Sequence, residues 1–374
     1  MHAKTDDAIR HVFPTAPKFG VVTAIAPGLD WLRLPLPFKL NHVNLWLLDD
    51  GDGWTIIDTG ADTPEARAMW TAAFAGPLSE KPLNRLIATH GHPDHIGLAS
   101  WLLEARGAAF VCTLTEWLQP QIWHAARIGK PQPAWKQFFV DHGCPDTTLA
   151  TFAKAQGSDF KPMGPIPASF ERIRDGDRLQ FGSRTWEVIV GAGHADEHAS
   201  FWCADDAILI AGDQILSRIT PVVGVFPSEP LADPLTHYLA SLKRFRKLPD
   251  ETLVLPSHGL PFHGLHTRID QIERHHAERL DTLLALIAKP ITAYAAAQGL
   301  FADAMAGGHE MLALAETLAH LNHLVRLGDA QRATRDDGQI SFAAPKRRRR
   351  SGANAGKAKS DRAPRAPRGS NVEG

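Results

Sequence analysis

Four times along this chain an apolar run of strand length ends in a turn or a small residue, and a metal-capable side chain follows at once. Leu86-Ile87-Ala88 leads into His90-Gly91-His92-Pro93-Asp94-His95, Trp186 to Val190 into Gly191-Ala192-Gly193-His194, Ala207 to Ala211 into Gly212-Asp213, and Thr252 to Pro256 into Ser257-His258-Gly259. Continuous apolar runs of this length bounded by turn residues read as strands buried on both faces. A rigid sheet then presents the short loops beyond its strand ends, which is where functional side chains concentrate. The first of these loops packs four metal-capable side chains, His90, His92, Asp94 and His95, into six residues, an H-x-H-x-D-H cluster.

The order His90-x-His92-x-Asp94-His95, then His194, Asp213 and His258, with Asp58 in Ile56-Ile57-Asp58-Thr59-Gly60, resembles the metallo-β-lactamase superfamily over about residues 20–265. The resemblance implies an α/β fold, a four-layer αβ/βα sandwich of two mixed sheets with helices outside and a dinuclear site at one edge. It implies that His90, His92 and His194 bind a first ion, that Asp94, His95 and His258 bind a second, and that Asp213 bridges both. Asp58 would orient the metal-binding loop through hydrogen bonds rather than touch an ion. His198, four residues after His194, is read as supporting the ligands or facing the substrate.

Imidazoles and carboxylates without a thiolate suit two divalent ions, zinc first, with iron or manganese as alternatives. Two such ions lower the pKa of a shared water towards ~7, giving a bridging hydroxide at neutral pH. Asp94 is the candidate catalytic residue, relaying a proton to the leaving group. The expected reaction is attack on an ester, thioester, lactone or amide carbonyl of a small molecule. The alternative is a metal-dependent endoribonuclease acting on single-stranded RNA. A non-enzymatic protein that keeps the fold is disfavoured because all seven ligand positions are intact. β-Lactam hydrolysis as the main activity is disfavoured as well, since the chain has Asp213 and no cysteine at a ligand position. The stretches His194 to Ala199, Gly212 to Pro221 and Leu255 to Gly259 are most similar to the two-domain β-lactamase-like protein 2 group, and no basic cluster of the kind used by glutathione-thioester hydrolases stands out.

The remaining segments set the domain expectations: an N-terminal extension at 1–19, a catalytic domain at 20–265 with a helical insertion at 113–166, a winged-helix-like domain at 266–344 and a basic disordered tail at 345–374. Between His95 and His194 lie 98 residues, more than a strand-helix-strand connection needs. Trp117, Trp123, Trp135, Phe138 and Phe139 crowd the first part of that stretch, which predicts short helices arching over the metal site or forming a small core of their own. Further on, a long helix is expected over about 267–287, a short segment around 292–298 and an amphipathic helix over 310–327, with Ala315, Leu318, Leu321 and Leu324 on one stripe. Asp336-Asp337-Gly338 then signals a turn before the alternating Gln339-Ile340-Ser341-Phe342.

At 374 residues and 44% hydrophobic content the chain can bury a large core. No 18-residue apolar run is present, the N-terminus lacks the apolar stretch of a secretory signal, and three scattered cysteines make no disulfide framework, so a cytoplasmic protein is expected. From Lys346 on, ten Lys or Arg stand against Asp361 and Glu373, which puts +8 in the tail and −9 in the body of a chain whose net charge is −1. Such a segment cannot bury a core. The expected partners are a small-molecule substrate and, through the tail or the winged-helix-like domain, RNA.

Overall fold

The computed structural model describes residues 9–128, 133–156 and 162–345. Its body is a pair of seven-stranded sheets. The first runs Thr23–Ala26, Leu29–Pro35, His42–Asp49, Trp54–Ile57, Leu83–Ile87, Ala109–Cys112 and Glu171–Arg172, and the second runs Arg10–His11, Phe262–His263, Leu253–Pro256, Ile208–Gly212, His198–Cys203, Arg184–Gly191 and Arg178–Phe181. Both are mixed, with parallel pairing where Trp54–Ile57 meets Leu83–Ile87 and where Ile208–Gly212 meets Leu253–Pro256.

Alternate side chains of the central strands leave in opposite directions and both faces are covered. Ile57 and Ile87 pack between the sheets with Trp31, Trp46, Phe201, Ile210 and Leu255. Their neighbours Ile56 and Leu86 face outward against Trp70 and Phe74 of helix Pro64–Ala75 and Leu102 of helix Ala99–Arg106. On the far side Leu209, Ala211 and Val254 meet Tyr238, Leu242 and Phe245 of helix Pro234–Phe245 and Ile269 of helix Leu265–Leu286. The architecture is therefore the four-layer sandwich that the family resemblance implies, built on strands that the apolar runs mark. Caps fix where the outer helices begin: Thr63 and Asp233 each accept a main-chain N–H of the first turn, from Ala66 and Thr236, and each precedes a proline.

One side chain ties the two sheets together beside the ligand loops. Asn44, on the first sheet, donates from Nδ2 to the carbonyls of Pro256 and Gly259 at 2.8 and 2.9 Å and accepts from Trp31 Nε1 at 3.0 Å. Its own N–H donates to the carbonyl of Ser257 at 2.7 Å. The loop that carries His258 is thus anchored to the opposite sheet by buried hydrogen bonds.

Beyond Leu286 the chain forms helices Ala293–Leu300, Ala302–Ala306 and Glu310–Leu327 and a small sheet in the order Ile291–Thr292, Ile340–Ala343, Gln331–Thr334. Helix Glu310–Leu327 is not a one-striped surface helix. Thr317, His320, Asn322 and His323 are buried along with Leu314, Leu318 and Leu321, because helices from both parts of the chain surround it. Leu314, Leu318, Leu321 and Phe342 share one continuous core with Leu209, Tyr238 and Phe245. The C-terminal helical unit is fused to the sandwich rather than appended to it.

Two expectations change. Residues within the expected N-terminal extension belong to the sandwich, since Arg10–His11 pairs with Phe262–His263 and Phe13 packs edge-on against Trp31. The insertion divides its aromatics. Its first helix, Leu114–Ile128, lies by the ligand loops, while Phe138, Phe139 and Phe152 of helices Pro133–Asp141 and Asp146–Gln156 join the core shared with the C-terminal unit. Tyr294 seals that contact, its hydroxyl 3.0 Å from Thr148 Oγ1. The basic tail from Lys346 on lies outside the described residues. Among those described, no helix is long and apolar enough to cross a membrane, and all three cysteines are buried and unbridged.

Candidate metal centre

Each predicted ligand sits where its strand stops: His90 after Leu83–Ile87, His194 after Arg184–Gly191, Asp213 after Ile208–Gly212 and His258 after Leu253–Pro256. Asp94 and His95 are the two central residues of the short helix Pro93–Ile96, whose N-cap is His92. All seven side chains come together at this one edge. Three overlapping groups form, His90 with His92 and His194, His90 with His95 and Asp213, and Asp94 with His95 and His258, the donor atoms of each lying within 4.8 Å of one another.

Hydrogen bonds on the far side of the rings decide which nitrogen faces inward. His194 Nδ1 lies 2.8 Å from the Val222 carbonyl and His258 Nδ1 lies 2.7 Å from the His42 carbonyl. A carbonyl only accepts, so both Nδ1 atoms carry the hydrogen and both Nε2 atoms point into the cluster with bare lone pairs when neutral. His90 follows the same logic: Thr89 Oγ1 donates to Asp58 at 2.9 Å and so accepts from His90 Nδ1 at 3.0 Å. Consequently His90 Nε2 and His194 Nε2 stand 3.2 Å apart with no hydrogen between them, and His92 Nδ1 lies 2.9 Å from His90 Nε2. The lone pairs of His90 and His194, turned towards one another in a buried site, are what a cation between them would neutralise.

Asp213 spans the cluster. Its Oδ2 is 3.4 Å from His194 Nε2, and its Oδ1 is 3.3 Å from His258 Nε2 and 3.6 Å from His95 Nε2. Asp94 Oδ2 lies 3.4 Å from His258 Nε2 and 3.6 Å from His95 Nε2. His95 Nε2, His258 Nε2 and Asp213 Oδ1 are all buried without a hydrogen-bond partner. Buried polar atoms are otherwise almost always paired, and these three converge on one point.

The electrostatics divide the site in two. Burial, reinforced by neighbouring imidazoles, pushes His90 far down and His92 down to about 3. Burial acts in the same sense on His95, yet the carboxylates of Asp94, Asp58 and Asp213 outweigh it and raise His95 to about 9. His258 is likewise raised well above its ordinary value against the pull of burial, by Asp213 and Asp94. One half is a neutral imidazole trio and the other a charged cluster of two carboxylates and two imidazoles.

Asp58 lies outside the cluster and buried, 2.8 Å from His95 Nδ1, and it accepts the Thr89 main-chain N–H at 2.8 Å. Its backbone is in the left-handed region at φ 65°, a conformation that non-glycine residues adopt at a cost of roughly 1–2 kcal/mol. His198 is the first residue of its strand rather than part of a helix, and its Nε2 accepts the Asp213 N–H at 3.0 Å. Gly212 makes room for that contact, since a Cβ there would sit 2.5 Å from the His198 ring.

Two contributors, His42 and Glu116, carry no sequence signal, whereas Trp123 is one of the aromatics expected over the site. His42, whose spacing implicates nothing, orients His258 through its carbonyl and accepts the Gly259 N–H on Nε2 at 2.8 Å. Trp123 lies against His92, ring centroids 5.9 Å apart and planes inclined 17°. Trp117 instead stacks on Phe170, away from the ligands. Glu116 accepts main-chain N–H groups from two ligand loops.

Comparison with known proteins follows the same lines. The profile described as Metallo-beta-lactamase superfamily matches residues 39–258, and one described as Metallo-beta-lactamase-like, C-terminal domain, matches residues 280–345. A solved beta-lactamase domain protein from Burkholderia ambifaria is 39% identical, covers 90% of this chain with 98% of its own, and superposes with a TM-score of 0.83. The "Probable metallo-hydrolase YqjP" of Bacillus subtilis is 28% identical over 307 residues, 78% of this chain and 91% of that protein. The "Beta-lactamase-like protein 2 homolog" of Caenorhabditis elegans is 22% identical over 246 residues, 66% of this chain and 65% of that protein.

Proposed function

This chain belongs to the metallo-β-lactamase superfamily of metal-dependent hydrolases, and on that premise we propose that it uses two divalent ions, zinc foremost, to hydrolyse an ester, thioester, lactone or amide of a small molecule. The observation that carries the reading is the convergence of seven donors, three of whose inward-facing atoms, His95 Nε2, His258 Nε2 and Asp213 Oδ1, are buried without a hydrogen-bond partner. His90, His92 and His194 would hold one ion, Asp94, His95 and His258 the other, with Asp213 reaching both. Ions so held would supply a water that ionises near neutral pH and a Lewis acid for the carbonyl oxygen.

The protein's own groups do the rest. The Val222 and His42 carbonyls and Asp58 keep the imidazoles of His194, His258 and His95 in the tautomer that offers a lone pair inward. Asp94 is the most accessible carboxylate of the group, its side chain 17% exposed against 8% for Asp213, and as an ionised carboxylate it would first take the proton released by the attacking water and then pass it to the departing group. The Trp123 face beside His92, on a helix that also exposes Ile122, offers an apolar wall to an acyl or aromatic substituent.

The test is metal analysis of the purified protein coupled to a panel of chromogenic thioesters, esters, lactones and phosphodiesters beside labelled single-stranded RNA. Two ions per chain with turnover of carbonyl substrates that is lost in His92→Ala upholds the proposal. Cleavage of RNA alone, dependent on His92, replaces it with the nuclease reading.

A further inference from the structure

Glu116, in the first turn of the insertion helix, is a buried acid, only 1% exposed, with no ligand role in the reading above. Its two oxygens go to two different ligand loops. Oε2 accepts the Gly91 N–H, between His90 and His92, at 2.8 Å, and Oε1 accepts the Glu197 N–H, three residues after His194, at 2.8 Å. Those loops supply all three members of the imidazole trio.

The contact is reciprocal and close. Glu197 Oε2 accepts the Thr115 N–H at 2.7 Å, capping the helix that carries Glu116, and Thr113 Oγ1 donates to the Glu197 carbonyl at 2.8 Å. Gly91 lies so near this helix that a Cβ there would stand 2.5 Å from Pro120 Cγ and 3.0 Å from the Glu116 carbonyl oxygen. Helix and loops are keyed to each other at backbone distance, so a shift of the helix displaces both loops together.

Building on the metal-site reading, we propose that Glu116 is a positioning residue for the first ion, its carboxylate clamping the His90–His92 loop to the His194 loop and fixing the separation of the three imidazoles. Two hydrogen bonds accepted by a single buried side chain on a third element are the physical means. A glutamine at this position has one acceptor oxygen, and its amide group would face one of the two N–H groups donor to donor. One loop is then released while the volume is conserved.

The experiment titrates metal-free wild type, Glu116→Gln and Glu310→Gln with cobalt(II) against a chromogenic chelator, recording the visible absorption of the bound cobalt and the melting of the metal-free forms. Glu310, a half-buried acid at the start of helix Glu310–Leu327 with one carboxylate oxygen buried, is the control and is expected to bind as wild type. Glu116→Gln is expected to hold one of its two ions about 10–100-fold more weakly, with an altered cobalt spectrum and the other ion near wild-type affinity. Where Glu116→Gln does not fold, Glu116→Asp, which keeps the charge but reaches only one loop, must show the same selective loss. Wild-type affinity and spectrum in either folded variant, or an equal loss of both ions, overturns the clamp alone. A wild type that takes up no cobalt overturns the metal reading and the clamp with it.

Discussion

Asp58 Oδ2 lies 2.8 Å from His95 Nδ1 while the Asp58 backbone is held at φ 65°. The main chain is strained so that a carboxylate can reach behind an imidazole whose other nitrogen faces the cluster. Asp58→Asn tolerates the left-handed backbone but removes the charge, and is expected to weaken metal binding about 10–100-fold with little change in the melting of the metal-free protein. Asp58→Ala should also lower the melting temperature. Unchanged affinity in Asp58→Asn, read by chelator competition, counts against an orienting role.

Asp213 touches both halves of the cluster, with Oδ2 towards His194 and Oδ1 towards His95 and His258. Asp213→Ala is therefore expected to lose bound metal as well as rate. Elemental analysis decides the matter, and two metals per chain retained in that variant would disprove the bridging assignment.

His95, raised to about 9, and His258, raised well above its ordinary value, both carry protons at pH 7 in the metal-free chain. An incoming cation must displace them, so affinity is expected to rise with pH from 7 through the titration of His95 near 9, the direction set by proton competition. Calorimetric titration with zinc at pH 7 in buffers of different ionisation enthalpy should show release of about two protons per chain. A heat independent of the buffer refutes this.

Leu318 is fully buried in the core that unites the second sheet with the C-terminal helices. Leu318→Ala is expected to cost about 2–5 kcal/mol. Because the core is continuous, the loss should appear as one shifted denaturant transition followed by tryptophan fluorescence. Two separated transitions would mean that the C-terminal unit unfolds on its own.

Trp123 presents its face beside His92 without supplying a donor to the cluster. Trp123→Ala is expected to raise KM for aromatic or long-chain acyl substrates about 10-fold or more while leaving metal content intact, the signature of lost binding area. Equal effects on acetyl and long-chain substrates would argue against an apolar wall.

What the sequence disclosed and what it withheld follow from the range of the interactions. Strands such as Ile208–Gly212 are covered on both faces, so they read as unbroken apolar runs, and the ligands follow them directly. Thus the strand-end placement of the ligands could be read from the runs, while the sandwich and the assembly of His90, His92, Asp94, His95, His194, Asp213 and His258 at one site were legible only through the family resemblance. Glu116 and His42 could not, because the N–H groups they accept, those of Gly91, Glu197 and Gly259, lie far away in the chain, and one buried carboxylate or imidazole leaves no periodic trace. The two-residue strand Arg10–His11 is too short to pattern, and its place in the sheet comes from pairing with Phe262–His263. The breadth of burial on helix Glu310–Leu327 is likewise tertiary, since His320 and His323 look like solvent-facing residues until helices close over them.

The cluster draws its side chains from both sheets, and the anchoring of the last of them depends on Asn44 gripping the loop around His258. A polypeptide emerging from the ribosome thus owns most of its donor atoms long before it has anywhere to put a cation. On the proposed reading, loading would wait until both halves have docked, so that metal occupancy would report on completed folding.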